Sequence, residues 1–363
     1  MSPAAPGALA GTLPAPHATA RRASATVLLV VSPCVLAGTM IASLAVGPTG
    51  ISLDALPAVL WAMAGGTVDA EIATERLVLL DLRLPRTLIG LFVGASLALA
   101  GAMMQGMFRN PLADPGLIGV SAGAALAAIS TIALGDTVLA FWPATLGVHA
   151  LPVAAFLGGL ATTLLLVLVA NRSGGLLIGT LLLAGIAFGA LANAGSGLIA
   201  YVSNDRELRD LTLWSLGSLS GANWDKVTAI VPFALLLAVF TPAMVRALNG
   251  LVLGEAEAFH LGVSVERAKR ILVTLTAAAV GAAVAVAGVI GFVGIVVPHF
   301  ARLITGPDHR FVLPASALFG GVIVLTADVI ARLIVQPAEL PIGIVMAAIG
   351  APVFLHLVIR RGI

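Results

Sequence analysis

The chain has 363 residues, of which 60% are hydrophobic and only 10% are charged. A soluble domain is usually about 45–50% apolar and about 25% charged, so the composition excludes both a solvated enzyme and a disordered polypeptide. The single cysteine, Cys34, excludes a disulfide framework and a metal site built from cysteines. This composition is typical of a protein that crosses a membrane many times.

The first residues are rich in Ala, Pro and Gly, and we predict that residues 1–25 form a disordered cytoplasmic tail. Arg21 and Arg22 then precede an apolar run at 27–46. This run is long for a signal peptide, so we interpret it as the first transmembrane helix. Residues 26–361 are predicted to form a single transmembrane domain.

Stretches without charged residues mark the other membrane crossings. They lie at 87–108, 115–135, 137–171, 173–204, 227–245, 271–301, 311–327 and 340–359. A spanning helix needs about 20 apolar residues, so each stretch fits one helix except 271–301. That stretch has basic residues on both sides and glycines at 288, 291 and 294, so we predict that it turns and crosses twice. The expected fold is all-α with ten transmembrane helices, the seventh and eighth being short or tilted.

With ten membrane crossings, most basic residues of the loops lie on the same side of the membrane as the N-terminus. Short basic loops prefer the cytoplasm, so we predict that both chain termini are cytoplasmic. The basic residues assigned to that side are Arg21, Arg22, Arg109, Arg172, Arg246, Arg267, Lys269, Arg270, Arg302, Arg310, Arg360 and Arg361.

The tripeptide Val-Gly-Ala occurs at 93–95 and again at 280–282. At the same offset Gly101 matches Gly288 and Pro111 matches Pro298. The two segments are the second and seventh predicted helices, which cross the membrane in opposite directions. An inverted repeat of this kind is typical of transporters, although two Ala- and Gly-rich helices also match by chance.

The predicted spans carry almost no ionisable residues at mid-depth, which argues against transport driven by an ion gradient. The chain has two lysines, Lys226 and Lys269, and neither follows a glycine as a phosphate-binding loop requires. We therefore assign no catalytic or metal-binding residue, and any ATP hydrolysis belongs to another subunit. Residues 250–268, here called the coupling segment, are either the docking point of such a subunit or a solvated surface loop.

Long motifs now connect the chain to a known family. They include RLPRTL at 83–88, GAMMQGMFRNPLADPGLIGVSAGA at 101–124, LGEAEAFHLG at 253–262 and GFVGIVVPHFAR at 291–302. From about Leu82 to Arg361 the chain resembles the permease subunits of type II ATP-binding-cassette (ABC) importers, which handle iron-siderophores, haem and cobalamin. Its stretch at 201–224 resembles the haem permeases most.

The resemblance implies a homodimer with the pathway on its axis, in the inner membrane of a bacterium. It implies two partner ATPases that bind ATP and Mg²⁺, and a periplasmic haem-binding protein. The permease itself is then no enzyme and binds no cofactor. Haem is its expected substrate, and Tyr201 and Cys34, the only tyrosine and cysteine, are a poor supply of iron ligands.

The resemblance also assigns residues. Arg83, Arg86 and Arg332 are expected to receive acidic side chains of the binding protein, since arginine pairs bidentately with carboxylates. Arg83 and Arg86 are alternatively interfacial arginines, and Arg332 alternatively pairs with Asp328 one helical turn away.

In the coupling segment, the residues expected to face the ATPase are Gly254, Glu255, Ala258, Leu261 and Gly262. The pathway is expected to be lined by a helix at 181–201 and a short helix at 214–222, in which Trp214 is either a substrate contact or an interface anchor. The residues assigned to the pathway and its gate are Asn110, Leu112, Ile178, Gly179, Gly185, Gly189, Asn193, Tyr201 and Trp214.

Two other functions stay open. In the first alternative, the same type of ABC importer carries a ferric siderophore or cobalamin instead of haem. An ion-coupled secondary transporter is the more distant alternative, and it would work without an ATPase.

Overall fold

The computed structural model describes residues 16–47, 75–171, 176–336 and 338–361. These residues form thirteen α-helices, joined by short turns and single turns of π- or 3₁₀-helix, and no strand occurs among them. The helices are α1 Pro16–Ala45, α2 Leu84–Phe108, α3 Val120–Leu134, α4 Phe141–Leu146, α5 Ala150–Ala170, α6 Ile178–Val202, α7 Asp205–Ser215, α8 Trp224–Leu253, α9 Glu255–His260, α10 Val265–Ala287, α11 Val293–Thr305, α12 His309–Ile334 and α13 Ile342–Arg361.

The predicted all-α membrane fold is confirmed. Seven helical segments of the described chain are long and apolar enough to cross a membrane, and α3, α11 and α13 add three shorter apolar helices. These ten segments lie where the charge-free stretches place them. The predicted turn within 271–301 separates α10 from α11, and left-handed backbone at Gly288 (φ +70°) and Phe292 (φ +66°) makes this break.

The helix bounds differ from the predicted ones at three places. The first helix begins at Pro16, within the predicted tail of 1–25, and residues 1–15 lie outside the described part. The seventh helix was predicted to be short or tilted; it begins at Val265 and has 23 residues, which leaves the tilted alternative. The short helix is Asp205–Ser215 rather than 214–222, because Asn204 and Glu207 form a capping box that starts it early.

Helices α2 and α10 form the centre of the bundle. In the most apolar window of each spanning segment, 78% of the residues are buried for α2 and for α10, against 17% for α6. Close backbone approach explains the dense centre, because a β-carbon on Gly94 would overlap the carbonyl of Gly320, and one on Gly101 that of Gly294. The glycine repeats of α2 therefore serve helix packing.

Helix contacts in the first half of the bundle are repeated five crossings later, as the sequence repeat predicts. The contact of α2 with α12 corresponds to that of α10 with α5. The contact of α3 with α5 corresponds to that of α11 with α12, and the contact of α2 with α11 to that of α10 with α3. Central helices α2 and α10, the two members of the repeat, also pack on each other. The outer helices α1 and α8 depart from this rule, because α1 packs on α12 whereas α8 packs on α2 and α10.

Candidate functional site

Two polar regions lie at opposite ends of α2, which is about 37 Å long from its 25 residues. Arg83 and Arg86 stand at its first turn, beside the last turns of α12. Gly106 stands at its other end, against His309 at the start of α12 and Leu248 near the end of α8. The coupling segment follows α8, so the predicted docking and coupling residues are separated by the thickness of the bundle.

The first region is an arginine cluster made of Arg83, Arg86 and Arg332 with the carboxylates Asp328 and Glu339. Arg86 donates to both carboxylates, with Nη2 2.8 Å from Asp328 Oδ1 and Nη1 2.8 Å from Glu339 Oε1. Asp328 is fully buried and also contacts Arg332 Nη2 at 3.0 Å. The alternative pairing of Arg332 with Asp328 is therefore confirmed, and Glu339 is a member of the cluster that the sequence did not single out.

Arg83 and Arg332 hold the end of α1. Arg83 Nη1 donates to the carbonyls of Leu44 and Ala45 at 2.6 and 2.7 Å, and Arg332 Nη1 donates to the carbonyl of Val46 at 2.6 Å. The last carbonyls of a helix lack partners within the helix and carry its negative dipole end, so two arginines are well suited to them. Both side chains are buried.

The same three arginines line a cavity of about 300 Å³, together with Glu339 and the loop 219–222 that follows α7. Their docking role stays a prediction. The structure adds that each arginine already has partners within the chain. A carboxylate that arrived here would therefore compete with, or add to, existing hydrogen bonds.

The coupling segment contains a short helix that begins and ends at glycines. Gly254 (φ +122°) and Gly262 (φ +80°) flank the short helix α9. Ala258 does not face outward as expected: it is fully buried against Gly250, since an α-helical turn puts one of its faces on the end of α8. Four large apolar residues of this segment are exposed: Val252 and Leu253 before α9, Phe259, which is 70% exposed, and the predicted Leu261.

Lys269 ties the coupling segment to the start of α6. Its side chain is only 3% exposed, and its Nζ lies 2.7 Å from Glu255 Oε2 and donates to the carbonyl of Leu176 at 3.2 Å. Glu266 Oε2 accepts a hydrogen bond from Leu176 N at 2.7 Å. The sequence analysis assigned Lys269 only to the basic residues of the cytoplasmic side. The chain has just two lysines, and this rarity was the feature of the sequence that could have pointed to a specific role for Lys269.

Helix α6 presents an uncharged outer surface. Of its assigned residues, Asn193 and Tyr201 are exposed and Gly189 has open space beside it, whereas Gly185 is packed against the carbonyl of Leu117. Trp214 lies apart from them at the end of α7, where it lines a cavity of about 340 Å³ with Lys226.

The assigned gate residues lie in two different turns. Asn110 and Leu112 share a turn after α2, in which Asn110 Oδ1 accepts from Leu112 N at 2.9 Å. Asp114 in the same loop accepts from Gly116 N at 2.7 Å, and burial raises the pKa of its carboxyl despite this hydrogen bond. Ile178 and Gly179 open α6, directly after Leu176.

Asp308 starts α12 beside the coupling segment. It accepts hydrogen bonds from Arg310 N at 2.9 Å and from Asn249 Nδ2 at 2.8 Å. Burial alone would raise the pKa of the Asp308 carboxyl, but these hydrogen bonds and the charges of Arg310 and His309 hold it below its usual value. Asn249 also accepts from His309 N at 3.0 Å, so the ends of α8 and α12 are fastened together.

An all-α bundle with ten apolar helical segments, an uncharged outer helix and polar regions at its two ends is typical of a polytopic membrane protein. The comparisons with known proteins specify it further. The chain belongs to the FecCD transport family, whose sequence profile matches residues 35–360. It is the permease of a type II ABC importer.

Its relatives are permeases. The chain is 45% identical to the hemin transport system permease protein HmuU of Yersinia pestis over 282 residues, which cover 78% of this chain and 83% of that protein. It is 42% identical to the cobalamin import system permease protein BtuC of Halobacterium salinarum over 79% of this chain and 75% of that one. A solved structure described as an inward-facing conformation of a metal-chelate type ABC transporter superposes with a TM-score of 0.79 at 32% identity, covering 92% and 98% of the two chains.

Proposed function

We propose that the chain is the permease of a haem importer in the inner membrane of a bacterium, with both termini in the cytoplasm. The observation that carries this proposal is the 45% identity to a hemin permease over 78% of the chain. The outer surface of α6 supports it, since no residue of Ile178–Val202 is charged. A flat apolar ring passes along such a helix without being held by strong ligands.

The proposed machine is a homodimer with two partner ATPases and a periplasmic haem-binding protein. The binding protein docks on the arginine cluster, where the three arginines surround a cavity and present a net positive charge. The ATPases contact the exposed part of the coupling segment, with Phe259 and Leu261 as its apolar contacts. ATP binding and hydrolysis on those subunits moves the two permeases so that the pathway opens to one side at a time.

The decisive experiment is uptake into proteoliposomes that contain this chain and a candidate ATPase, with ATP on the ATPase side and haem-loaded binding protein on the other. We expect haem uptake that requires all three components. Uptake that continues without the ATPase would contradict the proposed mechanism and favour a secondary transporter. Loss of uptake when only the binding protein is omitted separates a true importer from passive haem leakage.

Cobalamin is the second candidate substrate, because relatives at 42% identity are cobalamin import permeases. The discriminating measurement is the ATPase activity of the same proteoliposomes with haem-loaded and with cobalamin-loaded binding protein. Stimulation by the haem-loaded protein alone supports the first candidate. Stimulation by the cobalamin-loaded or a siderophore-loaded protein alone keeps the importer and removes haem.

A test of docking on the arginine cluster needs a variant that weakens binding of the partner protein without unfolding the permease. Arg86 is the suitable residue, because its carboxylate partners are side chains, whereas Arg83 holds the backbone end of α1. We expect the double variant Arg86→Gln, Glu339→Gln to keep the thermal stability of the wild type more closely than Arg83→Gln while weakening affinity for the binding protein. Unchanged affinity in the double variant would remove Arg86 from the docking surface.

A further inference from the structure

Two features of the molecule border the coupling segment and extend beyond the assigned sites. The first is a groove of about 1100 Å³ between α8 and α12, here called the α8–α12 groove. Its walls are apolar along most of their length, from Ala238 and Val245 on α8 to Leu313 and Ala317 on α12. Leu99 of α2 lies at its base.

The length of the groove matches one leaflet of a bilayer. From Ala238 to Asn249 the α8 wall rises about 16 Å at about 1.5 Å per residue. Half of a hydrocarbon core of about 30 Å is about 15 Å. Ala238 lies midway along α8, so the groove runs from the middle of this spanning helix to its end at the coupling segment, a length that fits one leaflet.

Two arginines stand at the polar end of the groove. Arg246 and Arg310 are both exposed and both line it. Arg246 Nη2 donates one hydrogen bond to the carbonyl of Leu261 at 2.9 Å, which holds the guanidinium at the mouth. The single lining carboxylate, Asp308, is already hydrogen-bonded by Asn249 and by the backbone of Arg310.

We propose that the α8–α12 groove is a binding site for an anionic phospholipid, with its acyl chains along the apolar walls and its phosphate between Arg246 and Arg310. Basic pockets between transmembrane helices are suited to anionic headgroups, and each arginine contributes about a factor of five in affinity. An interfacial arginine that only extends its charge to water would show no such lipid preference.

The test is native mass spectrometry of the purified full chain titrated with phosphatidylglycerol or phosphatidylcholine. We expect Arg246→Gln with Arg310→Gln to weaken phosphatidylglycerol binding about 30-fold and to leave phosphatidylcholine unchanged. The matched control is Arg206→Gln with Arg209→Gln on α7, which should have no effect. Ala238→Trp fills the apolar wall and should lower phosphatidylglycerol binding with both arginines intact.

Three results would overturn the proposal. They are equal binding of the two lipids by the wild type, an equal loss in the α7 control pair, and displacement of phosphatidylglycerol by millimolar inorganic phosphate. The last result would mean that the arginines form a simple anion site and that the groove adds nothing.

The second feature is the Lys269 contact network, and its interpretation rests on the proposed function. Lys269 on α10 joins Glu255, the first residue of α9, to the backbone of Leu176, two residues before α6. Glu266 holds the amide of Leu176 from the other side. Three segments that are distant in sequence thus meet at one buried ammonium group.

A buried lysine is stable only while its partners stay in place. Any displacement of α9 by a partner subunit must therefore either carry Lys269 and Leu176 with it or take away the 2.7 Å contact with Glu255, which leaves the ammonium group only the longer contact of 3.5 Å with Glu266 Oε1. The link reaches the first turn of α6, where the gate residues Ile178 and Gly179 lie.

We infer that Lys269 is a positioning residue that transmits movement of α9 to the start of α6. Replacement of Lys269 by an uncharged residue should uncouple ATP hydrolysis from transport without abolishing hydrolysis. An arginine at this position should restore part of the coupling because it keeps the positive charge.

The experiment measures substrate moved per ATP hydrolysed in proteoliposomes of the complete complex. We expect Lys269→Met to keep ATPase activity within about twofold and to lower this ratio about tenfold or more, with partial rescue by Lys269→Arg. The matched control is Arg270→Met, an exposed cation on the same helix that lies outside the coupling segment. A parallel fall of both activities, or an unchanged ratio, would overturn the inference.

A second readout does not depend on the substrate. Hydrogen exchange of the amides at 176–180 should respond to a non-hydrolysable ATP analogue in the wild-type complex and not in Lys269→Met. Equal responses in both would refute the positioning role. Should ATP-driven uptake fail for haem, cobalamin and siderophores while this response persists, the proposed substrate fails and the role of Lys269 stands.

Discussion

Asp328 shows how a charged residue is kept at the edge of a membrane domain. It is fully buried and lies between Arg86 and Arg332, which in turn contact Glu339 and the end of α1. A buried ion pair adds little net stability compared with apolar residues, but breaking it leaves a charge without compensation. Each charged residue of the cluster therefore needs its partners to stay in place, because loss of one leaves another charge without compensation.

We predict that Asp328→Ala destabilises the protein by about 3–5 kcal/mol, because it leaves two arginines at a buried site without their shared carboxylate. The midpoint of thermal unfolding in detergent should fall by about 6–12 °C or more. Glu339→Gln is the control, since Glu339 is partly exposed and its loss leaves Arg86 paired with Asp328. Equal midpoints for the two variants would contradict a special role of burial.

Asp308 predicts a dependence of stability on pH. Its folded-state pKa is lowered, so it stabilises the fold above its unfolded pKa of about 3.9, and this contribution is lost as the pH falls through the folded-state value. We expect Asp308→Asn to be less stable than the wild type at pH 7 and to approach it below about pH 3.9. Thermal unfolding between pH 3 and pH 7 measures this, and a constant difference across that range would refute the assignment.

At the scale of helices, α2 and α12 depend on glycine. We predict that Gly94→Val prevents their packing, because its side chain would occupy the space of the Gly320 carbonyl. The yield of monodisperse protein in detergent should fall severely. Gly38→Val on α1 is the matched control, since no atom lies within 4 Å of a β-carbon there, and it should leave the yield unchanged.

Helix α7 depends on Asn204, the capping residue directly before it. Asn204 accepts from the amides of Arg206 and Glu207, while Glu207 Oε2 accepts from Asn204 N at 3.1 Å. Asn204→Ala should lower the stability of this exposed helix by about 1 kcal/mol. Hydrogen exchange of the amides at 206–209 should rise several-fold while exchange in α2 stays the same; an unchanged rate would show that tertiary contacts alone hold α7.

At the scale of the whole molecule, α6 is the least buried of the long helices after α1. If two chains meet along α6 as the family resemblance implies, a cysteine at Gly197 should form a disulfide with its copy in a Cys34→Ser background. Gly197 is exposed and has open space around it. A cysteine at the exposed Leu168 of α5 is the control, and equal cross-linking at both positions would argue against an α6 interface.

Sequence reasoning located all ten apolar segments and the break between α10 and α11, because the absence of charge over about 20 residues and the position of Gly288 are local properties. It missed the early starts of α1 and α10, since the charged residues near the start of each helix are typical of a loop. The capping box that starts α7 at Asp205 was visible in the sequence and was not used.

The sequence by itself determined the class of protein, the number of crossings and the motifs that connect it to a family of importers, because composition and charge spacing dictate which segments can enter a bilayer. Only the tertiary structure decided which charges face outward. Ala258 is buried, Lys269 binds Leu176 and Glu255, and Arg83 and Arg332 hold α1, although each looked exposed in sequence. The reason is that these partners lie far apart along the chain, so their contacts exist only once the helices are packed.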